Sequence, residues 1–241
     1  EYIVLPDGAY CFRHIKSEQE CSGQEIDKLE VLDPEAEGVR GNLEVPGFRK
    51  ANRERERKKC LLLPVVNQIY QKYPDGKVLI FVASQGSTVD IANELKEKAS
   101  KIFPPFPLDE TFKQKLSSCD VDEEQKKLIS DLLPRGIAYH NASLPTSLRE
   151  IIEEEFQQPS SCIKLIVATE TLTIGVNMPF DAMVLMDTRV PRGIGEHKPL
   201  TNQEYRNYIG RAGRLGQSNR PGITYLFVQD LKERNGYWYG Y

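Results

Sequence analysis

No G-x-x-x-x-G-K-[ST] run occurs in the 241 residues, so the sequence brings no self-sufficient cradle for a triphosphate. No apolar stretch approaches the about 18 residues that a membrane helix needs. No charged-then-apolar leader is visible either, which gives no reason to expect export or a membrane partner. The five cysteines, at 11, 21, 60, 119 and 162, include no C-x-x-C pair. An odd, unpatterned set argues against a disulfide framework or a zinc site. It favours a reducing, intracellular setting, cytoplasmic or nuclear/nucleoid. The three histidines, His14, His140 and His197, lie far apart. A net charge of -3 excludes a chain that holds nucleic acid by bulk positive charge. No internal repeat is found.

What is present is uneven. Residues 18–37 carry eight acids and one base, whereas residues 49–59 and 189–220 each carry seven bases and two acids. A basic edge on a slightly acidic body is therefore expected. At 39% apolar, the chain can bury a substantial core. Residues 1–45 are read as an appendage, a hairpin around Pro6-Asp7-Gly8 followed by an acidic stretch; residues 46–241 are read as the main domain. Leu61, Leu62, Val65, Val66, Ile69 and Tyr73 recur at helical spacing, with Pro64 as an interruption. Val78–Val82 is a continuous apolar run, as for a strand buried on both faces. Ser84 to Ser87 then supply a loop and helix cap, and Ala92, Leu95, Ala99 and Ile102 mark that helix's buried stripe. Residues 112–133 read as one or two helices. The tetrad Asp122-Glu123-Glu124-Gln125 looks superficially like a magnesium-binding box, but no buried strand precedes it, and a helix start explains it better. Further strands are expected near residues 137, 163, 183 and 223, alternating with helices. Pro145 opens one of those helices, and Thr201-x-x-Glu204 is a capping box for another. Residues 188–199 read as a basic, exposed loop. The pattern is that of an α/β three-layer sandwich with a mainly parallel sheet.

Residues 203–216 read QEYRNYIGRAGRLG. If this segment is helical, Arg211 and Arg214 share one face, and Gly210, Gly213 and Gly216 let an anion approach the backbone. Two planar, permanently charged forks at that spacing suit a phosphoryl group whose charge is changing. The segment resembles motif VI of the superfamily 2, DExH-type helicases, and residues 166–179, IVATETLTIGVNMP, resemble motif V. The likeness runs from about Val78 to Val228 and is nearest the Ski-type branch. Residues 136–144, GIAYHNASL, match a third family segment in part, with Asn141 and Ser143 where the family has histidine and glycine.

The resemblance implies the second RecA-like domain, a P-loop NTPase-like fold, of an ATP-dependent helicase. ATP and Mg2+ would be held mainly by a first, N-terminal RecA-like domain, so a longer parent protein is expected and this chain alone should be inactive. Arg211 and Arg214 would be the catalytic pair, expected at the rim where the motif V threonines emerge. Gly175, Asn177, Asn207 and Gly210 would lie near the nucleotide, with Asn207 one methylene shorter than the family's glutamine. Ser84, His140, Asn141, Thr169 and Thr171 would contact the backbone of a DNA or RNA strand; Gln85 replaces an arginine common after that serine. No residue is expected to bind metal directly. Two alternatives stay open: an ATP-driven translocase or remodeller that does not unwind, and a non-enzymatic RecA-like module that binds nucleic acid or a partner. The aromatics Tyr237, Trp238, Tyr239 and Tyr241 could stack on bases or pack on a neighbouring domain.

Overall fold

The computed structural model describes residues 2–4, 9–12, 41–42, 54–99, 108, 110–170, 172, 178, 180–193, 195–213, 222–228, 233 and 236–237. The expected strands are all present. In chain order the elements begin with β1 (Tyr2–Val4), β2 (Ala9–Phe12), β3 (Gly41–Asn42), α1 (Glu54–Lys72), β4 (Val78–Phe81) and α2 (Gln85–Ala99). They continue with α3 (Glu110–Ser117), α4 (Glu123–Leu132), β5 (Ile137–His140), α5 (Thr146–Gln157) and β6 (Leu165–Ala168). The last are β7 (Ala182–Leu185), β8 (Arg189–Gly193), β9 (Glu196–Pro199), α6 (Asn202–Ile209) and β10 (Ile223–Phe227).

Among the described residues, eight strands form one sheet in the order β3-β2-β1-β10-β7-β4-β6-β5. From β1 to β5 every neighbouring pair is parallel. Every residue of β4, β5, β6, β7 and β10 is buried, which is why these runs are continuously apolar rather than alternating. The chain leaves β4 over α2, passes β6 and lands at β5. It then returns over α5 to β6 and moves onward to β7 and β10. Crossovers between parallel strands are right-handed, so the reversal at β5 sets α2 on one face of the sheet and α5 and α6 on the other. Contacts agree, with α1 against α2 and β10 and Tyr208 of α6 against Phe81 of β4, ring centroids 5.2 Å apart. This is the RecA-like three-layer arrangement.

The chain departs from the sequence expectations in three places. First, α1 runs through Pro64 without a break. An interior proline costs about 3 kcal/mol or more. Leu61, Leu62, Val65, Val66, Ile69 and Tyr70 are all buried on the same helix, and each large apolar side chain contributes about 1.5–3 kcal/mol, so packing wins. Second, the N-terminal hairpin is continuous with the sheet: β2 pairs antiparallel with β1, and β1 pairs parallel with β10. Third, residues 189–199 form an antiparallel ribbon, β8 with β9, rather than a loop. Asp122 is the N-cap of α4, its carboxylate accepting from the Gln125 amide at 2.9 Å, as a helix start and not a metal box requires.

Candidate functional site

Parallel α/β sheets bind their ligands beyond the carboxyl ends of the strands, and Ser84, His140, Asn141 and Thr169 all lie there. At the end of β4, the Ser84 hydroxyl is exposed. It accepts from the Ser87 amide at 3.2 Å and shares a hydrogen with the Ser87 hydroxyl at 2.7 Å, capping α2. The preceding residue is held by Asp187, whose Oδ2 accepts from the Ala83 amide at 2.9 Å while Oδ1 accepts from Lys58 at 3.3 Å.

His140 and Asn141 are both 0% exposed. Their side chains do not reach the surface where a strand would lie, contrary to the expectation of direct contact. His140 Nε2 bonds Glu153 at 2.7 Å. Burial pulls the imidazole's pKa below its ordinary value, although the Glu153 carboxylate opposes that shift. Asn141 Nδ2 donates to Thr88 Oγ1 at 2.7 Å and to the Gln85 carbonyl at 3.3 Å. Its Oδ1 accepts from the Ser143 amide at 2.9 Å and the Ser143 hydroxyl at 2.6 Å. The amide thus staples the first turn of α2 to the loop after β5. The next strand is joined too: the Thr169 amide donates to the His140 carbonyl at 3.2 Å, and Thr169 is 7% exposed. Three loops of the carboxyl edge form one hydrogen-bonded unit. Thr171 lies outside the described residues.

Helix α6 starts at the same edge. Thr201 accepts from the Glu204 amide at 3.2 Å, and Glu204 Oε2 accepts from the Thr201 amide at 2.8 Å, completing the capping box. Burial works against the ionised form of Glu204, but hydrogen bonds from Thr201 and from Arg192 outweigh it and hold the carboxyl below its usual range. Asn207 is exposed on this helix.

The helix ends at Ile209, with Gly210 as C-cap. Arg211 therefore sits in the turn beyond the helix rather than on a helical face. Gly213, at φ 66, turns the chain through the left-handed region, and its amide donates to the Phe180 carbonyl at 2.9 Å. Ala212 bridges Phe180. A Cβ on Gly222 would lie 2.3 Å from the Ala212 carbonyl oxygen, so only glycine lets β10 begin against this turn. Phe180 precedes β7, so the Arg211 turn lies at the amino end of the sheet, opposite Thr169. The expected shared rim is not what forms. Thr169 of motif V stands at the carboxyl edge and Phe180, the residue after motif V, near the amino edge, and α6 spans the same height. Arg211 is half-buried; Arg214, Gly175 and Asn177 lie outside the described residues. Tyr237 packs on Tyr205 of α6, ring centroids 4.9 Å apart, and donates to the Thr188 carbonyl at 3.3 Å, so this aromatic of the tail belongs to the domain's own packing.

The sequence reading missed the β8–β9 ribbon and with it Arg192. Arg192 donates to Glu204 Oε1 and lies 3.7 Å from Glu170 Oε1. The available signal was Gly193-x-Gly195, a turn between two short runs; Gly195 has φ 74. Among the described residues no group of three or more His, Cys, Asp or Glu could hold a metal ion. No helix of the described residues is long and apolar enough to cross a membrane.

Residues 111–216 match the family described as Helicase conserved C-terminal domain. The chain is 36% identical over 166 residues to the ATP-dependent DNA helicase Hel308 of Thermoplasma acidophilum, which covers 68% of this chain and 22% of that protein. It is 39% identical over 118 residues to the DExH-box ATP-dependent RNA helicase DExH9 of Arabidopsis thaliana, 47% of this chain and 12% of that protein. Over 101 residues it is 40% identical to DNA polymerase theta of Caenorhabditis elegans, 42% of this chain and 6% of that protein. The chain thus spans about a fifth or less of each of these relatives. Residues 111–216 are thus a helicase conserved C-terminal domain, set in a RecA-like parallel sheet and similar in sequence to superfamily 2 helicases of the DExH type.

Proposed function

We propose that the chain is the C-terminal half of the motor of an ATP-dependent nucleic-acid helicase. It closes over ATP-magnesium held by an N-terminal RecA-like domain of the same protein and grips the backbone of a DNA or RNA strand. The observation that carries this reading is the Arg211 turn, bonded through Gly213 to Phe180, the residue that follows motif V. The turn carries a half-buried arginine beside small, glycine-bounded backbone, a setting that suits a triphosphate.

Bound ATP supplies the γ-phosphoryl group that water attacks. Arg211 and Arg214 orient that group and offset the charge that develops on it, a contribution worth roughly a thousandfold or more in rate. Gly175, Asn177, Asn207 and Gly210 border the nucleotide. On the opposite edge Ser84, Thr169 and Thr171 hold strand phosphates by hydroxyls and backbone amides, which do not discriminate bases. His140 and Asn141 serve this grip from beneath by fixing the loops rather than by touching the strand. Contacts to phosphate give weak sequence preference.

In the full-length protein, Arg211→Ala and Arg214→Ala should each lower ATP turnover by about a thousandfold while strand affinity stays within about twofold, the spread expected of a distant, independent group. Steady-state ATPase and fluorescence anisotropy read the two quantities. Unchanged turnover in both variants would remove the arginine clamp.

A further inference from the structure

Arg192 stands on the β8–β9 ribbon at the one irregularity of its register, between the pairs Pro191↔His197 and Gly193↔Glu196. A bulge leaves one residue out of the ladder and re-aims its side chain. Here the guanidinium meets two carboxylates from two other elements. Nη2 donates to Glu204 Oε1 in the first turn of α6, and Nη1 lies 3.7 Å from Glu170 Oε1, the residue after Thr169. Glu204 spends its other oxygen, Oε2, on the Thr201 amide and hydroxyl, at 2.8 and 2.9 Å. The carboxylate that caps α6 is therefore also the one that Arg192 holds.

Both ion pairs are partly exposed, at 26–33% for the side chains involved, and exposed pairs add little to stability. What a planar fork between two carboxylates fixes is geometry. One end of α6 is thereby joined to the motif V loop at the strand edge. Its other end, eight residues and about 12 Å away, leads into the Arg211 turn.

We propose that Arg192 is a positioning residue that locks α6 to the Thr169–Glu170 loop, so that a displacement of the strand-gripping loop is delivered to the arginine turn. The ribbon supplies the lock, and α6 is the lever. This rests on the proposed function and adds to it a route by which strand occupancy reaches the phosphate clamp.

The test uses the full-length protein with oligo-dT and poly-U as strand probes. Arg192→Gln should lower the ratio of strand-stimulated to basal ATPase about fivefold or more, the size of a coupling between distinct sites. The loss should fall in kcat of the stimulated reaction, with basal turnover, ATP KM and strand affinity retained. Glu170→Gln should reproduce it, and the double variant should lose no more than either alone. Arg192→Lys, a point charge able to reach one carboxylate, should fall between. A stimulation ratio unchanged in both single variants, or an equal fall in basal and stimulated rates, would overturn the proposal.

Wild-type protein without strand-stimulated turnover would instead sink the proposed function. Hydrogen exchange of the same full-length variants then decides the lock by itself. Faster exchange in both 165–170 and 202–209 on Arg192→Gln supports it, and unchanged exchange in either segment overturns it.

Discussion

Lys77 shows how a single buried charge is tolerated. It precedes β4, is 9% exposed, and donates to the carbonyl of Phe156 and, at 2.7 Å, to that of Gln158. These carbonyls lie at the C-terminal end of α5, where a cation meets the negative end of the helix dipole. Its backbone amide is held by Asp181 Oδ2 at 2.9 Å. Neutral carbonyls do not replace water fully, and burial, helped by the neighbouring Lys164, pulls the ammonium's pKa down to about 8 despite the opposing pull of Asp181 and Glu155. The folded chain thus releases this proton before the unfolded chain does. Between about 8 and the ordinary 10.5 the unfolded state binds more protons, so this group's contribution to stability rises with pH across that window. Lys77→Met removes the titration. The thermal midpoint of wild type should gain on that of Lys77→Met as pH is raised from 8 to 10.5, as measured by scanning calorimetry. A difference between the two that stays flat over the window would show that Lys77 titrates as an ordinary surface lysine.

At the scale of elements, the turn after α6 depends on a glycine ten residues away in the sequence. Gly222 lets β10 start against Ala212 and Gly213; a Cβ there would lie 2.3 Å from one backbone oxygen and 2.8 Å from the Gly213 nitrogen. Neither is the tip of a flexible side chain, so the turn itself must move. Gly222→Ala should cost about 1–3 kcal/mol of stability, the range for forced overpacking. Because the displaced turn carries Arg211, ATP turnover should fall while strand affinity is retained. Denaturant melts and ATPase assays check both, and a variant with wild-type values in the two measurements would mean that the turn is not held by this contact. None of this close approach was legible in the sequence. Strands were legible, because a fully buried parallel strand needs a run such as Val78–Val82 and little else produces one. The capping box was legible because both partners are local. The place where α6 stops was not: Gly210, Arg211 and Gly213 fit a helix face on spacing alone, and the bridge from Ala212 to Phe180 is a tertiary contact. The same holds for Asn141. Its identity was noted as a departure from the family, but its burial follows from Thr88 and Gln85, more than fifty residues earlier. Arg192 escaped notice because a ribbon of mostly exposed residues carries almost no hydrophobic pattern.

Across the whole domain the two proposed chemistries stand at opposite edges of one sheet. The carboxyl edge offers Ser84, Thr169 and helix-start amides, and the amino edge offers the Arg211 turn. Helix α6 spans the height between. The division predicts that the two edges titrate differently with salt. Lysines and arginines that neutralise phosphates release counterions, and each such contact adds about 0.7 to the salt slope of single-strand binding. A neutral hydroxyl releases none. Its loss removes a hydrogen bond of about 0.5–1.5 kcal/mol, which corresponds to roughly two- to tenfold in affinity. Ser84→Ala in the full-length protein should therefore weaken oligonucleotide binding by that factor at every ionic strength, leaving the slope of log affinity against log salt as in wild type. The loss should be equal on different homopolymers, since a phosphate contact does not read bases. Anisotropy titrations over a range of salt concentrations measure both. A slope shallower by about 0.7 would mean that Ser84 acts by placing a cation, and an unchanged affinity would move the strand away from the α2 terminus altogether.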